Sequence, residues 1–165
     1  MQTIVKWIDI LNHRAGQLAG WSSFVLVLLI SIDVAMRYLF GFTMIWIIEV
    51  EIYLFAIIFL LGSGYALQKD RHVRVDVIYD RMSDFWKAWI DLIGGIFFLL
   101  PWSFIISWVG YQYAYMSYVI GERSPQPGGL PALYLLKGLM ALGFFLLFLQ
   151  GCSQIYSSIQ RIRKH

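Results

Sequence analysis

Asp33, Arg37, Glu49 and Lys137 are ionisable side chains that lie inside or at the edge of long apolar runs, the first three within "DVAMRYLFGFTMIWIIEVE", residues 33 to 51. Asp33 and Arg37 are four apart, so on a helix the acid and base meet, in the favoured order of acid before base. Glu49 enters the second apolar run about one turn after the connection, at the depth of Asp33, and Glu51 follows it. Lys137 stands six residues past Pro131, about 9 Å into the last run at 1.5 Å per residue. Asp33 and Glu49 with Arg37 and Lys137, two acids and two bases, sum to zero. Three uses fit such groups: anchoring in the headgroup layer, pairing between helices or with another membrane protein, and a proton or ion path. A path needs ionisable groups at both depths, and the inner halves of the runs carry only Asp91.

Other chemistry lacks its residues. Haem held inside a bundle needs facing axial histidines, whereas His13, His72 and His165 all fall outside the apolar runs. Ser63 in "GSGY" has no histidine or lysine at its depth to act as base, and its glycines interrupt an apolar helix instead of opening a phosphate loop. Neither internal repeats nor interrupted helices, which mark self-sufficient secondary carriers, are visible. A dimeric drug exporter would want an acid midway along its first span, and Asp33 is displaced toward one end. No enzyme and no cofactor are expected.

The elements that hold these residues follow from composition. The chain is 59% hydrophobic and 14% charged, far from a soluble domain's roughly 45–50% and 25%. Apolar runs at about 15–38, 45–67, 86–109 and 130–155 are each long enough to cross a hydrocarbon layer, and lipid forces them to be helices because it offers the backbone no partners. The expected fold is therefore an all-α integral membrane domain over 1–165 with four transmembrane helices. The first run has too long an apolar core for a signal peptide and is read as a retained span. Amphipathic interfacial helices are expected at 2–13, where Ile4, Trp7, Ile8 and Leu11 share one face against Lys6, Asp9 and Asn12, and in the loop 68–85, where Val75, Ile78, Tyr79 and Met82 do the same. Pro101 should bend the third span, Ser83 or Asp84 should cap it, and "GERSPQPGGLP" should end it within the loop 111–129 and the entry to the last run. Cys152 is the only cysteine, so no disulfide within one chain forms.

Lys and Arg concentrate at the amino terminus, in the loop 68–85 and at the carboxyl terminus, while the opposite side holds Arg37 and Arg123. The positive-inside rule then puts both termini in the cytoplasm. These charges flank spans instead of forming an aromatic-interleaved patch, so nucleic acid is not an expected partner. Glycine pairs such as Gly16 and Gly20 point to close packing within the bundle before they point to a dimer.

"DVAMRYLFGFTMIWIIEVEIYLF", "LGSGYALQKDRHVRVDVIYDRM" and "SPQPGGLPALYLLKGLMALGFFLLFLQG" occur in an order and spacing that resembles the DctQ-like family, the small membrane subunit of tripartite ATP-independent periplasmic (TRAP) transporters. Its His-Val-x-x-Asp stretch corresponds to His72, Val73 and Asp76; where it more often shows adjacent acids this chain has "WIIEVE", so Glu49 is carried over ahead of Glu51. The resemblance implies a non-catalytic small permease in the bacterial inner membrane. Its partners would be a large membrane subunit, a periplasmic substrate-binding protein and membrane lipid, and its task the sodium-driven uptake of organic acids. It makes Asp33, Arg37, Trp46, Glu49 and Lys137 candidates for helix or large-subunit pairing, and Arg123 a candidate for binding-protein contact. The alternative is an independent homo-oligomeric carrier or channel.

Overall fold

The computed structural model describes residues 2–42, 44–69 and 82–163. Among the described residues five helices in chain order carry the fold: α1 (Gln2–Phe40), α2 (Ile45–Gln68), α3 (Asp84–Gly94), α4 (Leu100–Val119) and α5 (Leu133–Ile162). A π-helical turn, Gly95–Leu99, joins α3 to α4 without a break. Counted as candidate crossings these are four, each long and apolar enough to span a membrane.

The expected surface helix at 2–13 and the first span are one helix. α1 runs 39 residues, about 58 Å at 1.5 Å per residue, which exceeds the roughly 30 Å of hydrocarbon by several turns. The amphipathic pattern has a different use from the one read in sequence. Ile4 and Trp7 face outward as expected, but Asn12 is fully buried and Asp9 turns toward α5. Gly41 ends α1: its N–H bonds the carbonyl of Arg37 at 3.0 Å and its φ of 71° is costly for any residue with a Cβ.

In the third crossing, Pro101 sits in the first turn of α4. It cannot donate a backbone bond, and the chain accommodates it just upstream by widening: the Leu100 N–H reaches back five residues to the carbonyl of Gly95. Ser103, buried in the next turn, donates its hydroxyl to the carbonyl of Leu99 at 2.5 Å. Ser83 stands at the N-cap of α3 but makes no side-chain capping bond. The expected loop helix around Val75, Ile78, Tyr79 and Met82 falls largely outside the described residues.

α5 is the central post, touching each of the other helices, while α1 packs chiefly on α2. The interior is small and polar, with Ser103, Ser117, Ser158 and Ala88 among its most buried residues. Large side chains such as Trp21, Phe59 and Phe97 point outward. Lipid is as apolar as leucine, so helices gain little by hiding large residues and more by close approach and interhelical hydrogen bonds. Gly143 shows the close approach: a Cβ there would stand 2.7 Å from the Cβ of Leu60 and 2.8 Å from its carbonyl oxygen.

Candidate functional site

Two polar layers, one at each end of the hydrocarbon stretch, organise the bundle. Asp33 marks the first, called outer after the orientation expected from the basic residues, and Asp9 the second, called inner; they lie 24 residues apart on α1, about 36 Å along the helix.

In the outer layer, Arg37 Nη2 donates to Asp33 Oδ2 at 2.5 Å. Asp33 is 3% exposed, whereas the Arg37 side chain is 53% exposed. The pair is therefore internal to α1, as the i,i+4 spacing implies. Glu51, on α2, lies within electrostatic range of both, and its Oε1 is buried without a hydrogen-bond partner among the described residues.

Glu49 works differently: it holds the outer loop. Its Oε2 accepts the Leu130 N–H at 2.5 Å and its Oε1 accepts the Ser124 hydroxyl. Ser124 and Leu130 are themselves joined, the Ser124 N–H to the Leu130 carbonyl at 3.1 Å. One turn further along α2, the Tyr53 hydroxyl donates to the Ala132 carbonyl at 3.1 Å. α2 thus grips the return segment at two successive turns, satisfying backbone groups that would otherwise be unpaired near lipid.

Lys137 fastens the same loop from α5. Its ammonium bonds Glu122 Oε2 at 2.5 Å and lies 5.4 Å from the ring centre of Tyr113. The Lys137 ammonium beside Glu122 holds that carboxyl below its ordinary range. Trp46 Nε1 donates to the sulfur of Met44 at 3.1 Å, and the ring is exposed at the start of α2. Arg123 is exposed on the loop. His72, Val73 and Asp76 lie outside the described residues.

The inner layer holds three helices together. Asp9 Oδ1 accepts Gln150 Nε2 at 3.0 Å and Ser153 Oγ at 3.2 Å, both from α5, while Gln68 Nε2 of α2 donates to the Asp9 carbonyl at 2.9 Å. Asn12, one turn on, packs against Gly64 of α2 and donates to the Ile8 carbonyl at 3.2 Å. Sequence reading passed over this layer, since Asp9 and Asn12 look solvated on an amphipathic pattern. The available signal was Gln150, an amide in "FLLFLQG", which lipid would not tolerate without a partner. In the outer layer Glu122, Ser124 and Tyr53 were also missed, because loop partners of a span residue have no fixed spacing.

A lateral groove of about 520 Å³ runs between α4 and α5, walled by Phe104, Trp108, Tyr111 and Phe145 with Ala114 and Gly138 between them. Its lining carries no charged side chain, and the Ser107 hydroxyl within it is committed to the Ala141 carbonyl at 3.0 Å. An anionic solute would find no cation there. Among the described residues, no group of three or more His, Cys, Asp or Glu side chains converges as a metal site would require.

The family model for the DctQ component of tripartite ATP-independent periplasmic transporters matches residues 26–161. The match takes in the whole outer layer together with Gln68, Gln150 and Ser153; Asp9 and Asn12 precede it. No curated protein matches the chain.

Proposed function

Because the chain belongs to the DctQ component family of TRAP transporters, we propose that it is a non-catalytic frame subunit, fixed in the bacterial inner membrane beside a large subunit that carries out sodium-driven uptake of organic acids delivered by a periplasmic binding protein. The observation that carries this reading is the use of its polar groups. Asp33, Glu49, Lys137 and Asp9 bond to the chain itself: Asp33 within α1, Asp9 across to α5, and Glu49 and Lys137 from two helices to the outer loop. Groups spent on internal ties make a stiff body, and a moving transport domain needs a stationary one against which to move. With both termini in the cytoplasm, as the positive charges favour, the latched loop faces the periplasm. There its order suits a surface against which a binding protein docks, with Arg123 exposed upon it.

The test is reconstitution. Alone in liposomes under a sodium gradient, the chain should accumulate no organic anion; expressed with its large subunit, it should copurify with it and restore uptake. Accumulation by the chain alone would overturn the frame reading in favour of an independent carrier.

A further inference from the structure

At the basic end of the bundle, Tyr65 of α2 packs against Gly16 of α1. A Cβ on Gly16 would collide with the Tyr65 ring at Cγ and Cδ1, so the ring occupies a notch that only glycine leaves open. The His13 ring centroid lies 5.5 Å from that of Tyr65, and the Lys69 ammonium stands 5.6 Å from the Tyr65 centroid. Lys6 is two helical turns from His13 on α1 and therefore on the same face. The Gln68 to Asp9 bond sets the register: Lys69 lies near the level of Asp9, less than one turn from Lys6 along the axis and about one turn from His13. Lys6, His13 and Lys69 are exposed. Asp9, a carboxylate at this level, is engaged by Gln150 and Ser153 of α5. Toward the hydrocarbon, the adjoining α1 face continues with exposed Trp21 and Phe24, their rings 6.4 Å apart.

We propose that Lys6, Lys69, His13 and Tyr65 form a binding site for an anionic phospholipid, the phosphate taken by the two ammonium groups around the Tyr65 plate and an acyl chain laid along the Trp21 and Phe24 face. Charge complementarity selects the headgroup, since a cation pair on a spanning helix pair at the interface attracts anionic lipid. The apolar face beneath it selects a lipid over a free anion. Each lysine should contribute about fivefold in affinity, the value for one basic side chain near a membrane surface.

The experiment titrates fluorescent phosphatidylglycerol into the purified full chain in phosphatidylcholine-doped micelles. Lys6→Gln with Lys69→Gln should weaken binding about thirtyfold, whereas Arg161→Gln with Arg163→Gln, an equal charge loss at the end of α5, should change it less than twofold. Lys6→Arg with Lys69→Arg should retain binding, and far-ultraviolet circular dichroism establishes that each variant stays helical. Equal losses in the two glutamine pairs would reduce the effect to general surface charge and overturn the site. So would binding that is insensitive to both pairs, or displacement of the lipid by equimolar inorganic phosphate.

Discussion

Replacing Glu49 by alanine should release the outer loop while leaving the bundle assembled. The carboxylate accepts two hydrogen bonds, from the Leu130 N–H and the Ser124 hydroxyl. Bonds to an ionised group contribute about 1.5–3 kcal/mol each, so Glu49→Ala should cost about 3 kcal/mol in local loop stability. Glu49→Gln keeps one acceptor oxygen but turns an amide NH₂ toward the other donor, and should lose roughly half of that. Ser124→Ala should cost about 1.5 kcal/mol, and the two sites should couple by about 1 kcal/mol in a double-mutant cycle, because they share a bond. The direct readout is amide exchange at Leu130, which should accelerate roughly a hundredfold in Glu49→Ala. Unchanged exchange at Leu130, together with a coupling below about 0.3 kcal/mol, would refute the latch. It would return Glu49 to the set of groups available for a partner subunit.

Asp9→Ala leaves the Gln150 amide and the Ser153 hydroxyl without their acceptor and should lower the unfolding free energy in detergent titration by about 2 kcal/mol. Gly143→Ala drives a methyl into Leu60 and should destabilise by about 1–3 kcal/mol. Gly138→Ala, where nothing lies within 4 Å, should be neutral or stabilising by up to about 1 kcal/mol through helix propensity; equal thermal shifts in the two would contradict the packing argument. The Glu122 carboxyl is held below its ordinary value of 4.5 by Lys137. Its contribution is therefore complete above that value and disappears as pH falls through the lower folded one. Exchange at the loop amides should rise in that acid window in the parent and show no such step in Glu122→Gln.

The crossings were legible because lipid imposes one rule on the backbone, and an apolar run of the required length has only one fate. Helix ends were less so. α5 continues to Ile162, through the serines near residue 157, whose polarity looks like a membrane boundary although the helix passes straight through it. The i,i+4 pair Asp33 and Arg37 was readable from spacing alone. The partners of Glu49 and Lys137 were not: Ser124 lies 75 residues from Glu49, and such separations are set by the tertiary path. Asp9 misled for a physical reason, since a polar stripe on an amphipathic helix reads the same whether it meets water or the amides of a neighbouring helix.

Among the outer-layer charges, Glu49 and Lys137 are committed to the loop, and Asp33 is buried. Glu51 has a buried oxygen without a partner among the described residues, and Arg37 is the exposed exception, since a single Nη2 serves Asp33 while half of the side chain is exposed. A guanidinium presents five donors in a rigid fork, so it can hold Asp33 with one nitrogen and offer the others outward. If the large subunit is recognised by charge at this layer, Arg37 is the group that reaches it. Arg37→Lys separates the two duties. A lysine can still pair with Asp33, so the isolated chain should stay within about 1 kcal/mol of the parent. It cannot serve two directions with the same geometry, so copurification of the large subunit should fall. Parent-like copurification together with parent-like stability would confine Arg37 to its own helix and leave the outward faces of α1 and α2 to recognise the partner through shape and apolar contact.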